Sequence, residues 1–262
     1  QEILELREEI YTKYKEKTII KYSINQSLDL SKISLRSNNQ NKVVNYLYEN
    51  KNSSFSKIHI QDVLDVSVSV LENLVKKNIL LKNRVPVKRI SSSTLISRKD
   101  LVLSDAQKVA LNGINKSFKS NDVVNLLGIT SSGKTEIYVN LIKEEIVKGN
   151  SALLMVPEIA LTTQLSLRLS SYFPSNLIVY HSSISPNIRH ELWNDMLNDN
   201  KPRVILGARS SVFLPFKNLG IIVIDEEHEN SYKQTEPMPR YNARDSAIFL
   251  SKILKTKCLL GS

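Results

Sequence analysis

The chain has 262 residues, in which 36 Lys and Arg outnumber 26 Asp and Glu, for a formal net charge of +10. This length allows one large domain or two of ordinary size, and a hydrophobic content of 41% is enough for a real core. The single cysteine, Cys258, excludes a disulfide framework and a Cys-rich zinc site within this chain, and the charge favours an anionic partner such as nucleic acid.

The first zone, residues 1–38, is predicted to be a connector or the end of a preceding domain. It opens with the charged stretch "QEILELREEIYTKYKEK", which is no signal peptide, and continues without a clear period. No apolar run in the chain approaches the roughly 18 residues of a membrane-spanning helix, so we expect no membrane partner. The single cysteine favours a reducing, cytoplasmic location. Because the chain opens on Gln1 rather than Met, we expect it to be a piece of a longer protein.

Residues 39–90 are predicted to form a small separate domain. Three segments have helical spacing, and the basic stretch "LLKNRVPVKRI" after them is strand-like. Three helices followed by a basic hairpin is the order of a winged helix; a generic three-helix unit or a protein-docking module is the alternative. Residues 91–100, "SSSTLISRKD", are predicted to be a linker. The face expected to be buried on the first helix consists of Val43, Val44, Leu47 and Tyr48.

Residues 101–262 alternate between strand and helix patterns. Short, nearly continuous apolar runs such as "SALLMVPE", "RVILGAR" and "GIIVIDEEH" are separated by helical segments, one of which carries Trp193 as an expected core residue. Such runs indicate strands buried on both faces. The fold class predicted is therefore α/β, with a mostly parallel sheet covered by helices on both sides.

The stretch "LLGITSSGKTEIY" matches the phosphate-binding pattern G-x-x-x-x-G-K-[ST] through Gly128, Gly133, Lys134 and Thr135. An apolar strand pattern precedes the loop and helical spacing follows it, which is the context that the motif needs; the alternative is a chance loop of small residues. Loop amides would hold phosphates, Lys134 would reach the β- and γ-phosphates, and Thr135 would ligate Mg²⁺. The residues predicted to surround the nucleotide are Gly128, Ile129, Thr130, Ser131, Ser132, Gly133, Lys134, Thr135 and Glu136.

In "GIIVIDEEHEN" a buried strand pattern ends in carboxylates, which places them at the carboxyl edge of the sheet, beside the phosphate loop. Asp225 is the predicted Mg²⁺-holding acid, and Glu226 is predicted to polarise the attacking water. An acidic cluster after a strand is more often a solvated turn, but its position downstream of a phosphate loop favours catalysis. His228 either couples nucleotide state to DNA or caps the strand end.

The chain resembles the PriA family of replication-restart helicases (primosomal protein N′) of superfamily 2. The resemblance is densest from 103 to 262 and rests on "GITSSGKTEIY", "LLMVPEIALTTQ", "HSSISPNIRHELW", "ILGARSSVFLPF", "VIDEEHENSYKQ", "PRYNARDSAI" and "LLGS". The combination of Asp-Glu-Glu-His with Ser-Tyr-Lys-Gln separates this family from most other helicases. The fold implied is a winged-helix domain followed by the first RecA-like helicase lobe.

The resemblance also implies roles for individual residues. Gln107 in "LSDAQ" would read adenine with its amide, and Arg209 would pair with DNA phosphate. The family loop often carries a tryptophan where this chain has Met238 and Pro239, which puts stacking at that point in doubt. The residues expected to contact DNA are Pro157, Glu158, Arg209, Ser210, Tyr232, Lys233, Arg240 and Tyr241, with Arg84 and Lys88 in the basic hairpin. For Glu158 the alternative is helix N-capping.

For the whole protein the resemblance implies an ATP-dependent 3′–5′ DNA helicase that uses ATP or ADP with Mg²⁺ and binds single-stranded and forked DNA. Single-stranded-DNA-binding protein and other primosome proteins are expected partners, and zinc is expected only in a missing C-terminal part. The second helicase lobe would also be missing, so this chain alone is expected to be a weak or inactive motor. Two other classes stay open: another P-loop NTPase, and a non-catalytic winged-helix DNA-binding scaffold.

Overall fold

A computed structural model describes residues 14–27, 35, 37–87, 102–129, 132–160 and 163–262. The chain divides into two compact units, of which unit 1 ends at Arg89 and unit 2 begins at Ile90. Each unit is described by itself below. No helix within the described ranges is both long enough and apolar enough to cross a membrane.

Unit 1 combines three helices with a small antiparallel sheet. Its elements, in chain order, are β1 (Thr18–Ile24), α1 (Asn38–Glu49), β2 (Phe55–Ser56), α2 (Lys57–Leu64), α3 (Val68–Lys76) and β3 (Leu80–Pro86). The strand order is β2-β1-β3. A serine precedes each helix, and the Ser56 hydroxyl accepts a hydrogen bond from the His59 amide, which satisfies one of the open donors at the start of α2.

Strand β1 corrects the prediction that residues 1–38 are a connector or the end of a preceding domain, because it belongs to the sheet of unit 1. It pairs with β3 along its whole length, and its Tyr22 and Ile24 are buried in the unit 1 core. The Tyr22 hydroxyl donates to Glu72 on α3 at 3.0 Å, and burial, together with that carboxylate, raises the pKa of Tyr22 to about 12. A basic hairpin was expected in residues 80–90, but up to Val87 the structure has the single strand β3, which pairs with β1. Because β1 precedes the three helices, no local sequence pattern marked this pair.

The core of unit 1 is formed by the inner faces of its helices and strands. Tyr48, expected on the buried face of α1, is exposed. It lies about 100° around the helix from Leu47, which is at the centre of the helix face that packs into the unit 1 core. The buried apolar residues of this core are Tyr22, Ile24, Val43, Val44, Leu47, Ile60, Val66, Leu71, Leu74, Ile79 and Leu80.

Unit 2 confirms the predicted α/β fold. Its helices and strands are α4 (Asp105–Ser117), β4 (Val123–Leu126), α5 (Lys134–Val147), β5 (Ser151–Met155), α6 (Thr163–Tyr172), β6 (Leu177–Tyr180), α7 (Pro186–Asn198), β7 (Val204–Gly207), β8 (Leu219–Ile224), β9 (Lys233–Gln234), β10 (Tyr241–Asn242), α8 (Ala243–Leu254) and β11 (Lys257–Gly261). Six of the strands form one sheet in the order β4-β11-β8-β5-β7-β6, and every neighbouring pair in it is parallel. The strands β9 and β10 form a separate two-stranded antiparallel hairpin.

The central strands of the sheet send alternate side chains to two hydrophobic cores. Leu154 and Val223 face the core that contains α5 and α6, whereas Leu153 and Ile222 face the core that contains α7 and α8. This alternation follows from the two-residue period of a strand. Because both faces are covered, β5, β7 and β8 are buried almost throughout and read as continuous apolar runs in the sequence.

Trp193 corrects a second expectation, since its side chain is nearly half exposed rather than in the core. Helix α7 buries Leu192 and Met196, which are separated by one turn and face the sheet. Trp193 follows Leu192 by one residue and is therefore turned about 100° away from that face.

A buried carboxylate joins the end of α5 to two neighbouring strands. Glu145 is buried and accepts hydrogen bonds at 2.9 Å from Lys148, Asn150 and Lys257. Burial alone would raise the pKa of Glu145, but these three donors outweigh it and hold the pKa below its ordinary value. Gly220 on β8 leaves the space for this carboxylate, because a Cβ there would lie 2.4 Å from Glu145 Oε2.

Substitution of Glu145 tests whether this charged contact stabilises unit 2. We expect Glu145→Gln to lower the free energy of unfolding by about 1–3 kcal/mol at pH 7, because the partner ammonium groups lose their anion. The native pKa is lowered, so the wild-type advantage is complete above the unfolded pKa of 4.5 and shrinks as pH falls through the native value. Urea denaturation at pH 7 and at acid pH measures the difference in free energy of unfolding between the wild type and the variant. Glu236→Gln, on an exposed glutamate, serves as the control. An equal loss at both pH values would contradict this account.

Candidate functional site

The phosphate-loop pattern lies where β4 ends and α5 begins. Gly133 is the residue before the helix and has a φ of 84°, in the left-handed region that favours glycine. A Cβ at this position would lie 2.3 Å from Gln107 Nε2, so the Gln107 side chain would also have to shift if another residue stood here. Thr130 and Ser131, which were predicted to surround the nucleotide, lie outside the described residues. Backbone amides at the start of α5 and the helix dipole make this end of the helix a site for anions.

Gln107 is tied to the loop by its side-chain amide. Its Oε1 accepts from the Ser104 amide at 2.8 Å, while the Ser104 hydroxyl accepts from the Gln107 amide, so the two residues form a capping box at the start of α4. Its Nε2 donates to the Gly133 carbonyl at 3.1 Å. The residue predicted to read adenine therefore also fixes the first helix of unit 2 against the phosphate loop.

Lys134 connects the loop with the acidic strand end. Lys134 as a whole is only 8% exposed, and its Nζ donates to the Gly128 carbonyl at 2.8 Å. The same Nζ lies 3.4 Å from Glu226 Oε1. The phosphate loop and the acidic strand end therefore meet through an ammonium group and a carboxylate.

Asp225 directly follows β8 and is held from two sides. Its backbone amide donates to the Met155 carbonyl at 2.9 Å, which extends the β5–β8 pairing by one residue. The Tyr138 hydroxyl on α5 donates to Asp225 Oδ1 at 2.9 Å. Burial raises the pKa of Asp225 above its ordinary value, against the opposing effect of the Tyr138 hydrogen bond. Gly261 on β11 leaves room for Tyr138, since a Cβ there would lie 1.9 Å from the hydroxyl oxygen.

Glu226 turns back toward the phosphate loop because its backbone is left-handed, with a φ of 47°. This conformation is uncommon for a residue with a side chain and costs roughly 1 kcal/mol or more. Glu226 Oε2 lies 3.7 Å from His228 Nε2, and the other ring nitrogen of His228 hydrogen-bonds the Ser262 hydroxyl at 3.0 Å. His228 thus links Glu226 to the end of the neighbouring strand.

These residues line one cleft of about 350 Å³, called here the nucleotide cleft: Gly133, Lys134, Thr135, Glu136, Arg168, Asp225 and Glu226. Arg168 on α6 forms an ion pair with Glu136. No group of three or more His, Cys, Asp and Glu residues in the described ranges is placed to hold a metal by itself. A hydroxyl and a carboxylate beside an anion site nevertheless suit Mg²⁺, which keeps several waters and takes the rest of its shell from phosphate oxygens. The cleft thus fits a magnesium nucleotide.

The expected DNA residues at the end of β5 are not equally accessible. The Pro157 side chain is buried and its carbonyl accepts a hydrogen bond from the Ala160 amide, so Pro157 shapes the turn, and its contact with the DNA backbone stays a prediction. Glu158 is exposed and accepts a hydrogen bond from the Ser182 hydroxyl. Glu158 opens the short 3-10 turn Glu158–Ala160, and its contact joins the ends of β5 and β6.

Tyr232 corrects another expectation. It is 2% exposed, and its hydroxyl donates to the Asp225 carbonyl at 2.7 Å. Burial is the largest cause that raises the pKa of Tyr232, and the negative charges of Asp225 and Glu226 add to it. A ring packed in this way has no face left for a base. Tyr232 instead holds the loop after Glu229 onto the end of β8.

The other residues expected to contact DNA in unit 2 lie on the surface. A second cleft, called here the hairpin cleft, is lined by Lys233, Gln234, Thr235, Arg240, Tyr241, Asn242 and Asp245. Arg209 and Ser210 belong to the 3-10 turn Arg209–Phe213 after β7, and the charge of Arg209 acts on the Tyr241 hydroxyl. The structure therefore groups Arg209, Lys233, Arg240 and Tyr241 around the hairpin.

In unit 1, Arg84 is exposed on β3, while Lys88 lies outside the described residues. Two residues at the site were missed from the sequence: Arg168, which lines the nucleotide cleft, and Tyr138, which holds the cleft acid Asp225. Tyr138 follows Lys134 by one helical turn and therefore lies on the same face of α5, so its position near the site could have been predicted from this spacing. Arg168 had no such signal, because its partner Glu136 belongs to a different helix.

Comparison with known proteins agrees with this geometry. A family model described as DEAD/DEAH box helicase matches residues 104–251, more than half of the chain. The replication restart protein PriA of Bacillus subtilis is 39% identical over 202 residues, which cover 76% of this chain and 25% of that protein. The corresponding protein of Rickettsia felis is 46% identical over 160 residues, 61% of this chain and 24% of that protein.

Among solved structures, one of RecG bound to a three-way DNA junction matches with a TM-score of 0.43 and 20% identity, over 75% of this chain and 23% of that chain. The chain spans about a quarter of the length of the curated relatives named above.

Removal of the Tyr232 hydroxyl tests whether this ring is anchored in the interior by its hydrogen bond to the Asp225 carbonyl. We expect Tyr232→Phe to lower the free energy of unfolding by about 1 kcal/mol or slightly more, because the Asp225 carbonyl loses a buried hydrogen bond. Urea denaturation measures this change. Tyr48→Phe, on an exposed tyrosine, serves as the matched control and should have little effect. If both variants were as stable as the wild type, Tyr232 would not be anchored as described.

Proposed function

The chain belongs to the DEAD/DEAH box helicase family, and we propose that it contains the first motor lobe of an ATP-dependent DNA helicase of replication restart. The observation that carries this proposal is the meeting of the phosphate loop and the acidic strand end in the nucleotide cleft. Lys134 Nζ lies 3.4 Å from Glu226 Oε1, and Asp225 lines the same cleft. The relatives named as replication restart proteins supply the context of the proposal.

The residues of the cleft divide into those that hold the nucleotide and those that act on water. Loop amides and Lys134 would bind the phosphates, which requires Lys134 to exchange the Gly128 carbonyl for phosphate oxygens. Thr135 and Asp225 would hold Mg²⁺. The chemistry that Mg²⁺ would supply there is to offset the charge that develops on the phosphate oxygens during transfer.

Glu226 is the proposed general base. It is the carboxylate nearest to Lys134 and is turned into the cleft by its backbone conformation. It would accept a proton from the attacking water as the water oxygen bonds the γ-phosphorus and ADP leaves with the electrons of the broken bond. Asp225 is tied to Tyr138 and to the β5–β8 pairing, so it suits a positional role better than proton transfer.

DNA would bind in two places. On unit 2, the exposed cations Lys233 and Arg240 and the half-buried Arg209 would contact the phosphates of a single strand. For unit 1 we propose a winged-helix role, supported by its three helices, its antiparallel sheet and the exposed Arg84 on β3. Forked DNA, single-stranded-DNA-binding protein and primosome proteins are the proposed partners in a reducing cytoplasm. We infer that this lobe alone binds DNA without unwinding it, because helicase turnover needs a second lobe that closes on the nucleotide.

Lys134→Ala tests the nucleotide site directly. Charge-assisted hydrogen bonds are worth roughly 1.5–3 kcal/mol, so loss of Lys134 should weaken Mg²⁺–ADP binding about tenfold or more, as measured by calorimetry. Lys116→Ala, on an exposed lysine of α4, is the matched control and should bind ADP normally. Equal affinities of the wild type and Lys134→Ala would remove Lys134 from the site and favour a non-catalytic DNA-binding scaffold.

Glu226→Gln tests the general base in the complete gene product. ADP affinity should stay within about twofold, while DNA-stimulated ATP hydrolysis should fall at least about a hundredfold, because a positioned base contributes roughly 10²–10⁴ in rate. Glu229→Gln, on a nearby exposed glutamate, should hydrolyse ATP normally. Normal turnover by Glu226→Gln would show that another group activates water. Hydrolysis that DNA does not stimulate would favour a different class of P-loop NTPase.

A further inference from the structure

Tyr138 is a buried polar residue of α5 to which the proposed mechanism gives no part. It is only 1% exposed, yet its ring ends in a hydroxyl, and that hydroxyl donates to Asp225 Oδ1 at 2.9 Å. A tyrosine hydroxyl keeps its proton at neutral pH, so it is a lasting donor to a carboxylate. Phenylalanine would fill the same space without a polar atom. The contact with Asp225 is therefore what distinguishes tyrosine from phenylalanine at this position.

A third element leaves the space for this contact. A Cβ on Gly261 would lie 1.9 Å from the Tyr138 hydroxyl oxygen and 3.4 Å from Asp225 Oδ1. Gly261 lies in β11, which pairs with β4, and its carbonyl accepts a hydrogen bond from the Glu227 amide at 2.8 Å. Because the Tyr138 ring is buried, its hydroxyl has little room to move away from a side chain at residue 261. The hydroxyl therefore occupies a place that α5, β11 and the end of β8 form together.

Asp225 is held at its backbone as well as at its carboxylate. Its amide donates to the Met155 carbonyl at 2.9 Å, which fixes the main chain directly after β8. The Tyr138 hydroxyl fixes one carboxylate oxygen. With the backbone and one oxygen both fixed, the carboxylate cannot rotate freely, although it lines the open nucleotide cleft. A buried donor thus sets the direction of the group that would hold a metal.

The direction of this carboxylate matters for the metal that it would hold. Mg²⁺ requires nearly ideal octahedral geometry, whereas the larger Ca²⁺ accepts an irregular and more flexible shell of oxygens. Hydrogen-bond partners that orient metal ligands commonly change metal affinity by about 10- to 100-fold. A carboxylate that is held in one direction therefore favours Mg²⁺ over Ca²⁺.

We propose that Tyr138 is a positioning residue for magnesium, whose hydroxyl holds the Asp225 carboxylate in the direction that Mg²⁺ needs. Tyr138 would contact neither the nucleotide nor the metal and would act only through Asp225. This inference rests on the nucleotide site of the proposed function and deepens it, because it names a residue that makes this site prefer Mg²⁺ to a larger cation.

The test measures how strongly a metal tightens ADP binding to the 262-residue chain. Calorimetry gives the ADP affinity without metal, with saturating Mg²⁺ and with saturating Ca²⁺, and the readout is the ratio of the affinities with and without metal. In Tyr138→Phe the Mg²⁺ ratio should fall about tenfold, because the carboxylate loses its orienting donor. The Ca²⁺ ratio should fall by less, and the metal-free affinity should stay within about twofold of the wild type, since the phosphate contacts are unchanged.

Tyr232→Phe is the matched control. It also removes a buried tyrosine hydroxyl next to Asp225, but this hydroxyl bonds the main-chain carbonyl and not the carboxylate. The Mg²⁺ ratio of this variant should remain within about twofold of the wild-type ratio, because Tyr138 still orients the carboxylate. Thermal denaturation verifies that both variants are folded.

The role of Tyr138 would be overturned by an unchanged Mg²⁺ ratio in Tyr138→Phe. It would also be overturned by an equal fall in Tyr232→Phe, which would indicate a general loosening of the strand end. An equal fall of the Mg²⁺ and Ca²⁺ ratios would point to the charge of the carboxylate rather than its direction, and would likewise overturn it. Each of these results leaves the proposed nucleotide site intact.

Failure of the proposed function would give a different result. A wild type that binds ADP equally with and without Mg²⁺ would remove the magnesium site, and this inference with it, but would keep the phosphate loop. A folded wild type that binds no ADP under any of the three conditions would overturn the nucleotide site itself.

Discussion

The hydrogen bond from the Tyr138 hydroxyl to Asp225 is the contact on which the nucleotide cleft depends. It joins α5, the helix that begins with Lys134, to Asp225, the residue directly after β8, and Gly261 on β11 leaves the space for it. A carboxylate that is largely removed from water needs a donor, because an unsatisfied buried group costs roughly 1–3 kcal/mol or more. With this contact in place, Lys134 and Glu226 face each other across the cleft.

The parallel sheet explains why so much of this arrangement could be predicted from the sequence. The phosphate loop and the acidic cluster each occupy one short stretch directly after an apolar strand pattern. In a sheet of parallel strands all carboxyl ends lie at one edge, so two such stretches must come near each other whatever the order of the strands. That reasoning needed no knowledge of β11, which lies between β4 and β8 in the sheet.

The features that were not predicted are those decided by packing between distant segments. Strand β1 has little pattern of its own and is fixed by pairing with β3, beyond three intervening helices. Trp193 and Leu192 are adjacent and both apolar, and only the direction of α7 over the sheet decides which of them is buried. Tyr232 and Tyr241 likewise differ in burial. The Tyr232 ring is inside the protein, whereas the Tyr241 ring is partly exposed, and the residue type alone does not distinguish them.

The hairpin is attached at both ends to the strand end that carries the cleft acids. At its start, the Tyr232 hydroxyl holds the Asp225 carbonyl, and β9 begins with the next residue. At its end, β10 leads into α8, whose Arg244 forms an ion pair with Glu227 at 2.9 Å. Two contacts thus close the segment between Glu227 and Arg244 onto the residues that follow β8. A surface loop of this kind would ordinarily be mobile. Here the two ends of the hairpin segment are fixed by the buried Tyr232 ring and by the ion pair between Arg244 and Glu227. The hairpin cleft is therefore attached to the same strand end as the nucleotide cleft.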